Sequence, residues 1–379
     1  AGSGIVNNQA GGTISGLRHG VTADNAVTVN NAGTILGRNG SGVGSDGMGT
    51  VVNVGTITGR WDGVSINGDG DGVDIDLLAS VINNGTIQGL SANGVDSGGR
   101  ANSAEGIAMG GGTIVNTSGA TIFGAGTGIL INHDTNLGGV ADGRTTISNA
   151  GTIRGGAGRA ITLVGAFADT ITNSGTITGG TAGAIDMGDG NDILNIQSGS
   201  VITGTVDGGT GTDTIRLGFP GLNVGGSFAG SINFEALQTV TGNWTLTGPQ
   251  AYANGIEVGS GTTLFGNAAT LSQSSITTRG LLTINEATNT TYTGAITGNG
   301  AVSKTGAGNL LIGAQAFTGG LNVTGGTLTL TGQQAAFGYY VGTGATLTST
   351  LAATVAGAAG SGFTGNSVTN LGTLSNRNA

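Results

Sequence analysis

The sequence predicts an all-β fold in which short strands and tight turns repeat along the chain. Of the 379 residues, 82 are Gly, 2 are Pro and only 8% are charged. Collagen would need Gly at every third position with abundant Pro, and a disordered chain would be less hydrophobic than this one, which is 37% apolar. What remains is rich in Gly, Asn, Thr, Ser, Val and Ile, the residues typical of brief strands and turns.

A seven-residue motif, Asn-x-Gly-Thr-Ile-x-Gly, recurs in the first half of the chain. Full copies begin at Asn31, Asn53, Asn83, Asn149 and Asn173. With three degenerate copies included, the central Ile falls at positions 14, 35, 57, 87, 122, 153, 177 and 202. A repeat of this length holds two or three strands and cannot bury its own apolar face, so the pattern predicts a solenoid in which each coil stacks on the next.

The motif also predicts where its residues point. Side chains alternate across a strand, so we expect the Ile residues to face inward and to form a column along the axis, while the Thr residues face solvent. An Asn that stacks on its own copies can donate to one neighbour and accept from the other, which predicts a hydrogen-bonded Asn ladder.

The longer steps between successive Ile residues indicate coils with insertions. We interpret residues 68–80, about 91–112 and about 125–146 as inserted loops. Loops on a rigid scaffold commonly carry binding surfaces. The flank formed by residues 60–146 is therefore the predicted contact site.

The composition changes near Pro220. Residues 1–216 hold 17 of the 20 acidic and 8 of the 11 basic residues, whereas 12 of the 15 aromatic residues lie beyond position 216. Residues 1–216 are predicted to form coils of the Asn motif, and residues 217–379 to continue the solenoid with a different repeat.

Residues 298–330 carry a resemblance to a known family. The stretch Gly298-Asn-Gly-Ala-Val-Ser-Lys-Thr-Gly-Ala-Gly-Asn-Leu-Leu-Ile-Gly313 and its continuation to Leu330 resemble the passenger-associated transport repeat of bacterial autotransporters, the proteins of type Va secretion. The Asn-x-Gly-Thr-Ile repeats are similar to those of large autotransporter adhesins. The resemblance implies a right-handed parallel β-helix (β-solenoid) displayed on the surface of a Gram-negative bacterium, with a C-terminal outer-membrane β-barrel that is missing from this chain.

The same resemblance implies an adhesin or self-association (autoaggregation) factor that contacts its partner through one face and the loops of the helix. The expected partner is the same protein on a neighbouring cell or a protein or glycan of a host surface. A purely structural stalk is an alternative. Nucleic acid is not an expected partner, because the formal net charge is −9 and Lys304 is the only Lys.

Several Asp residues lie in patterns that suit calcium. Gly alternates with carboxylates in the segment Asp69-Gly-Asp71-Gly-Val-Asp74-Ile-Asp76, which would let a loop wrap oxygen ligands around a hard cation. Two further segments resemble the calcium-binding nonapeptide of RTX proteins. One contains Asp189 and Asp192, and the other contains Asp213. In each case, a turn in which the Asp bonds nearby backbone is the alternative. No other cofactor is expected.

No catalytic residue is expected. His19 and His133 are the only His residues, and His133-Asp134 lies in a predicted surface loop. The enzymatic alternative is a β-helix enzyme that cleaves acidic polysaccharides with carboxylates such as Asp69 and Asp71, for which Arg60 is the only nearby base in sequence.

Overall fold

The structure, a computed structural model, is described for residues 2–95, 99–132, 139–218, 224–249, 251–336 and 338–350, and for the backbone of four later strands. The contacts divide the chain into two compact units. Unit 1 comprises residues 1–213 and 231–233, and unit 2 comprises residues 214–230 and 234–379. The described residues form strands β1 to β45 and no α-helix, and the predicted all-β solenoid is confirmed. No helix that could cross a membrane is found in the described part.

Unit 1 is built from coils of three strands, and each strand pairs in parallel with its equivalents in the neighbouring coils. First strands, most of which end at an Asn, are β1 Ser3–Asn8, β4 Ala26–Asn31, β7 Met48–Asn53, β9 Val73–Asn83, β11 Ile107–Asn116, β14 Thr145–Asn149, β17 Thr170–Asn173 and β21 Ile193–Ile196. Second strands are β2 Thr13–Gly16, β5 Thr34–Gly37, β8 Thr56–Gly59, β10 Thr86–Gly89, β12 Thr121–Gly124, β15 Thr152–Gly155, β18 Thr176–Thr178 and β22 Val201–Thr203.

Third strands are shorter, and each begins with Val or Ile. They are β3 Val21–Ala23, β6 Val43–Ser45, the first residues of β9 and β11, β13 Ile129–Ile131, β16 Ile161–Leu163, β19 Ile185–Asp186 and β23 Val206–Asp207. Two further short strands, β20 Asp189–Gly190 and β24 Thr210–Gly211, pair with each other.

The second strands place the motif Ile residues in one column, as predicted. Each Ile pairs with the Ile of the next coil across all eight strands, even where the step is 30 residues or more. The Ile side chains of the six inner coils are fully buried. Val and Ile of the first and third strands close the other two walls of this core, so the apolar part of the interior of unit 1 is aliphatic.

The predicted Asn ladder is confirmed, and it lies in the interior. Its members are Asn8, Asn31, Asn53, Asn83, Asn116, Asn149 and Asn173. Each Nδ2 donates to the Oδ1 of the next Asn at 2.7–2.9 Å. Within a rung, Asn31 Nδ2 also donates to the carbonyl oxygen of Gly33 and its Oδ1 accepts from the Gly33 N–H. The ladder ends at Ser200, whose Oγ accepts from Asn173 Nδ2 at 2.6 Å.

The Gly that closes each motif lets the chain turn sharply. A Cβ on Gly59 would lie 1.8 Å from the backbone oxygen of Asp71, so only Gly fits where the chain returns toward the third strand. This close approach fixes Asp71 against the end of β8.

The interpretation of residues 68–80 as an inserted loop is wrong for most of its length. Val73 and Ile75 belong to β9 and are fully buried, because their alternation with Asp74 and Asp76 is that of a strand with one face in the core. Residues 107–112 likewise lie in β11, and parts of residues 125–146 lie in β13 and β14. Before β9, residues 61–67 leave the coil as a loop, and residues 91–95 and 99–106 likewise lie outside the named strands.

Unit 2 contains three main sets of parallel strands. The first set is β25 Thr214–Leu217, β27 Ala236–Thr239, β29 Gly255–Val258, β31 Ile276–Thr278, β34 Ile296–Gly298 and β37 Ala316–Phe317. The second is β26 Gly226–Phe228, β28 Asn243–Leu246, β30 Thr263–Gly266, β32 Leu281–Asn285, β35 Ala301–Thr305, β38 Leu321–Val323, β40 Tyr339–Val341 and β43 Phe363–Gly365. The third is β33 Thr290–Tyr292, β36 Asn309–Ile312, β39 Thr327–Leu330, β41 Thr346–Ser349 and β44 Val368–Asn370; β42 Thr354–Gly357 pairs with β45 Thr373–Asn376.

The core of unit 2 differs from that of unit 1 because it contains aromatic side chains and one Lys. Trp244, Tyr292 and Phe317 are fully buried. Lys304 is also buried, and its Nζ donates to the backbone oxygens of Gly306, Gly308 and Gly325 at 2.6–2.9 Å. Burial lowers the pKa of Lys304, and the nearby Glu286 carboxylate acts in the opposite direction.

We expect Asn31→Ala to lower the free energy of unfolding by about 2–3 kcal/mol, because buried donors and acceptors in three coils lose their partners. Asn30→Ala is the matched control. Asn30 is adjacent, exposed and hydrogen-bonded to Asn7 on the surface, so this change should cost less than about 0.5 kcal/mol. Urea unfolding followed by circular dichroism measures both. Equal losses in the two variants would contradict an essential interior ladder.

Candidate functional site

An acidic cleft lies on the flank of unit 1. It has a volume of about 380 Å³ and is lined by Asp69, Asp71, Asp74, Asp76 and Glu105 together with Arg18, Ser103 and Asn132 among others. The four Asp residues that the sequence identified as one group therefore face one cavity. Asp74 and Asp76 reach it from the outward face of β9, whereas Asp69 and Asp71 belong to the segment that enters this strand.

Glu105 was missed by the sequence analysis, although a signal for it exists. Each third strand of the first five coils follows a Gly, and the residue before that Gly stacks on its equivalent in the next coil. The Gly42 N–H donates to the Asp71 carbonyl oxygen, and the Gly72 N–H donates to that of Glu105. Aligning the third strands on this Gly would have placed Asp71 and Glu105 one above the other.

Three carboxylates of the cleft converge. Ligand oxygens of Asp69, Asp71 and Glu105 all lie within 4.8 Å of one another. The Glu105 N–H donates to Asp71 Oδ1 at 2.6 Å, and the Ser103 hydroxyl donates to Glu105 Oε1. Asp71 and Glu105 are both almost completely buried. Each is therefore held in place by the backbone or by a neighbouring hydroxyl.

Burial and mutual repulsion perturb the acids of the cleft. The pKa of Asp71 lies well above its usual range, first because of burial and then because Glu105, Asp69 and Asp74 are negative neighbours. The same causes raise the pKa of Asp74 to about 8, with Asp69 and Asp76 as its main negative neighbours. Such repulsion favours either a retained proton or a bound cation.

The converging carboxylates have the chemistry of a hard divalent-cation site. Calcium binds oxygen at 2.3–2.6 Å, so two oxygens around one ion lie at most about 5 Å apart, and this spacing is met. A cation here would displace the proton from Asp71. Calcium binding at Asp69, Asp71, Asp74 and Asp76 stays a prediction, with Glu105 added as a candidate ligand.

The other predicted ligands occupy a different place. Of these, Asp192 and Asp213 form a buried column together with Asp169, which was not among the predicted ligands. The three residues are here called the carboxyl column. Their Oδ1 atoms accept from the backbone N–H groups of Thr145, Asp169 and Asp192 respectively, at 2.6–2.7 Å. Asp189 is exposed and accepts from the Thr210 hydroxyl. Within the described residues, Asp189, Asp192 and Asp213 do not converge as the acids of the cleft do.

The pKa values of two carboxyl groups in the carboxyl column are raised. Burial raises the pKa of Asp169 to about 6 and that of Asp192 to about 7. Asp169 and Asp213 add repulsion at Asp192, while backbone hydrogen bonds and the positive charge of Arg144 act in the opposite direction. Asp192 Oδ2 is buried and has no hydrogen-bond partner among the described residues. A proton on Asp192 would relieve this burial of charge.

Of the two His residues, only His19 is described; His133 and Asp134 lie outside the described residues. His19 Nδ1 accepts from the Ser41 N–H at 3.1 Å, and burial, followed by the charge of Arg18, lowers its pKa. The interaction of His19 with backbone indicates a structural role for this side chain.

Residues 61–67 form an ordered loop that presents apolar side chains to solvent. Val64 is 88% exposed and Ile66 is 86% exposed. The loop is held by Asp62, whose Oδ1 accepts from the N–H groups of Val64 and Ser65 at 2.9 and 2.8 Å. Trp61 Nε1 donates to the Ser65 carbonyl oxygen at 2.8 Å and ties the loop back to its own start.

The neighbouring coil supports this loop from one side. Asn93 Nδ2 donates to the Ile66 carbonyl oxygen at 2.8 Å, and the Val95 N–H donates to Asn67 Oδ1 at 3.1 Å. Val95 is itself exposed. Val64, Ile66 and Val95, here called the apolar loop patch, therefore project from two adjacent and hydrogen-bonded segments.

Comparison with models of protein families, with curated proteins and with solved structures finds no match to this chain.

Calcium should raise the melting temperature of the full chain, and a chelator should reverse the effect. At a hundredfold excess over its dissociation constant, a bound ion stabilises the folded state by about 2.7 kcal/mol. Asp71→Asn should melt higher than the unaltered chain without calcium, because the neutral amide does not have to take up a proton on folding, and it should no longer respond to the ion. Asp24→Asn, at an exposed position outside the cleft, should respond like the unaltered chain. Identical melting with calcium and with chelator would contradict the site.

Stability should fall as the pH rises from about 4 to about 8. The folded pKa values of Asp169 and Asp192 lie above the ordinary value of 3.8, so their contribution is complete below that value and is lost as the pH rises through about 6 and about 7. Asp192→Asn should flatten this dependence because its amide does not ionise, whereas Asp189→Asn should not. Urea unfolding at a series of pH values is the measurement. An unchanged slope in Asp192→Asn would show that the carboxyl column does not titrate as inferred.

Proposed function

We propose that the protein is a surface-displayed, passenger-like β-solenoid that acts as an adhesin or self-association factor. The observation that carries the proposal is the apolar loop patch. Two β-branched side chains that are almost fully exposed cost solvation free energy, and burying each against a partner would return about 1.5–3 kcal/mol.

The loop is suited to contact because it is already ordered. Asp62, Trp61 and the 91–95 segment fix its conformation through hydrogen bonds. A partner therefore does not have to supply the entropy cost of ordering it, which raises the affinity obtained from a small surface. Affinity would rise further when many copies on two cells meet at once.

Polar rows on the solenoid surface offer additional weak contacts. Outward side chains of adjacent coils already hydrogen-bond to each other, as Asn195 does to Thr172 and Gln88 to Thr58. Such rows are pre-arranged at the spacing of the strands, about 4.8 Å. A second copy in register could pair with them along its length.

Surface display rests on the resemblance of residues 298–330 to the autotransporter transport repeat. The β-solenoid is consistent with a passenger of this kind. Secretion across the outer membrane, an outer-membrane β-barrel partner and a role in biofilm formation belong to the proposal.

A polysaccharide-cleaving enzyme is the second candidate, favoured by the acidic cleft. The cavity brings several carboxyl groups together with Arg18, and the pKa of Asp74, raised to about 8, would let it donate a proton at neutral pH. Among the described residues, Arg18 and not Arg60 is the basic side chain that lines the cleft.

Cells that display the chain should clump and settle faster than cells that lack it, and Val64→Ser combined with Ile66→Ser should abolish most of this effect. The matched control is Val54→Ser with Val201→Ser, which removes two exposed Val side chains outside the patch and should leave settling unchanged. Mixing displaying with non-displaying cells separates contact between copies from contact with another surface molecule.

Clumping that survives the loop double variant would contradict the role of the patch. Release of reducing or unsaturated ends from an acidic polysaccharide, lost in Asp71→Asn, would instead support the enzymatic candidate.

A further inference from the structure

Unit 2 carries a groove of about 450 Å³ on the outward face of strands β28, β30, β32 and β35. Thr245 of β28 pairs in register with Phe265 of β30, which pairs with Thr283 of β32. Two positions further along these strands, Asn285 of β32 pairs with Thr305 of β35. The groove is thus lined by two rows of side chains that cross adjacent coils.

One aromatic ring and several uncommitted polar groups face the groove. Phe265 is 36% exposed, whereas the other large aromatics near it, such as Trp244, lie in the core. The side chains of Thr245, Asn285 and Thr305 have no hydrogen bond to any described residue. An apolar ring beside free hydroxyl and amide groups is the usual composition of a small-molecule site.

The lining is electrically neutral. None of the eight residues that line the groove in the described part of unit 2 is charged. A phosphate, a nucleic acid or an anionic lipid headgroup would find no cation there, and a cationic ligand would find no carboxylate. The ligand that fits is uncharged and rich in hydroxyl groups.

The backbone under the groove is already paired, which disfavours an extended peptide. Strands β28, β30, β32 and β35 hydrogen-bond to one another in parallel, so they offer no free sheet edge for an added strand. Recognition has to use side chains alone. Hydroxyl groups can meet the Asn and Thr side chains, while a face of C–H groups can stack on the Phe265 ring, whose own face is partially negative.

We propose that this groove binds a neutral oligosaccharide, with a pyranose ring stacked on Phe265 and hydroxyl groups bonded to Asn285, Thr245 and Thr305. Four strands at about 4.8 Å span about 14 Å, enough for a few sugar units laid along the axis. The site is separate from the apolar loop patch and does not depend on it.

Saturation-transfer NMR on the full chain tests the proposal, with cellotetraose, mannotetraose and a β-1,4-linked galactose tetrasaccharide as neutral probes. At least one probe should receive saturation, and tetragalacturonic acid, an acidic saccharide of the same length, should bind more weakly. Phe265→Ala should raise the dissociation constant at least about tenfold. Tyr340→Ala is the matched control, since Tyr340 is an exposed aromatic on β40 outside the groove, and should leave binding unchanged.

Asn285→Ala provides a second variant at an exposed position, in case Phe265→Ala disturbs folding. It should weaken binding without altering the circular dichroism spectrum. No transfer to any of the three neutral probes, binding that both groove variants retain, or binding of an extended Ser/Thr-rich peptide in place of the saccharides would overturn the proposal. The Val64→Ser and Ile66→Ser double variant should still bind the saccharide, which separates this test from that of self-association.

Discussion

The interior Asn ladder is the interaction on which the structure of unit 1 depends. A buried amide has two donor hydrogens and an acceptor oxygen, and each of these would cost free energy if left unpaired. Stacking identical Asn residues satisfies them only when consecutive coils are in register. The ladder therefore converts a polar residue in an aliphatic core into a requirement for one alignment, and the Ile column beside it supplies the apolar burial.

The strand register is fixed in the core, but the length of the segments outside the core varies from coil to coil. Coils of very different length keep the same pairing of motif residues, because the extra residues leave between the second and third strands or between the third strand and the next coil. This is how the 61–67 loop and the acidic cleft can be built on coils that remain regular inside. The features that could bind an ion or a partner lie where the repeat is interrupted. Regular coils on both sides support them.

The motif itself was enough to predict the solenoid, the Ile column and the Asn ladder, because period and residue type act locally and repeat. The cleft was predicted only in part. Asp69 to Asp76 were found as a run, but Val73 and Ile75 show that half of the run is a strand, and Glu105, 34 residues after Asp71, is brought near only by stacking. The loop patch lies within the flank of residues 60–146 that was predicted as a contact site, but its exposed side chains were not identified, and the groove of unit 2 was not predicted. Exposure and concavity depend on which neighbours cover a residue.

The Asn ladder also gives unit 1 a direction. All six amide-to-amide bonds from Asn8 to Asn173 point the same way along the chain, so the side-chain dipoles add as peptide dipoles add in a helix. The Asn ladder is partially negative at the end of the Asn8 side-chain carbonyl and partially positive at the end of the Asn173 Nδ2, from which the Ser200 hydroxyl accepts. A repeat protein whose coils look interchangeable is in this way electrically polar along its axis.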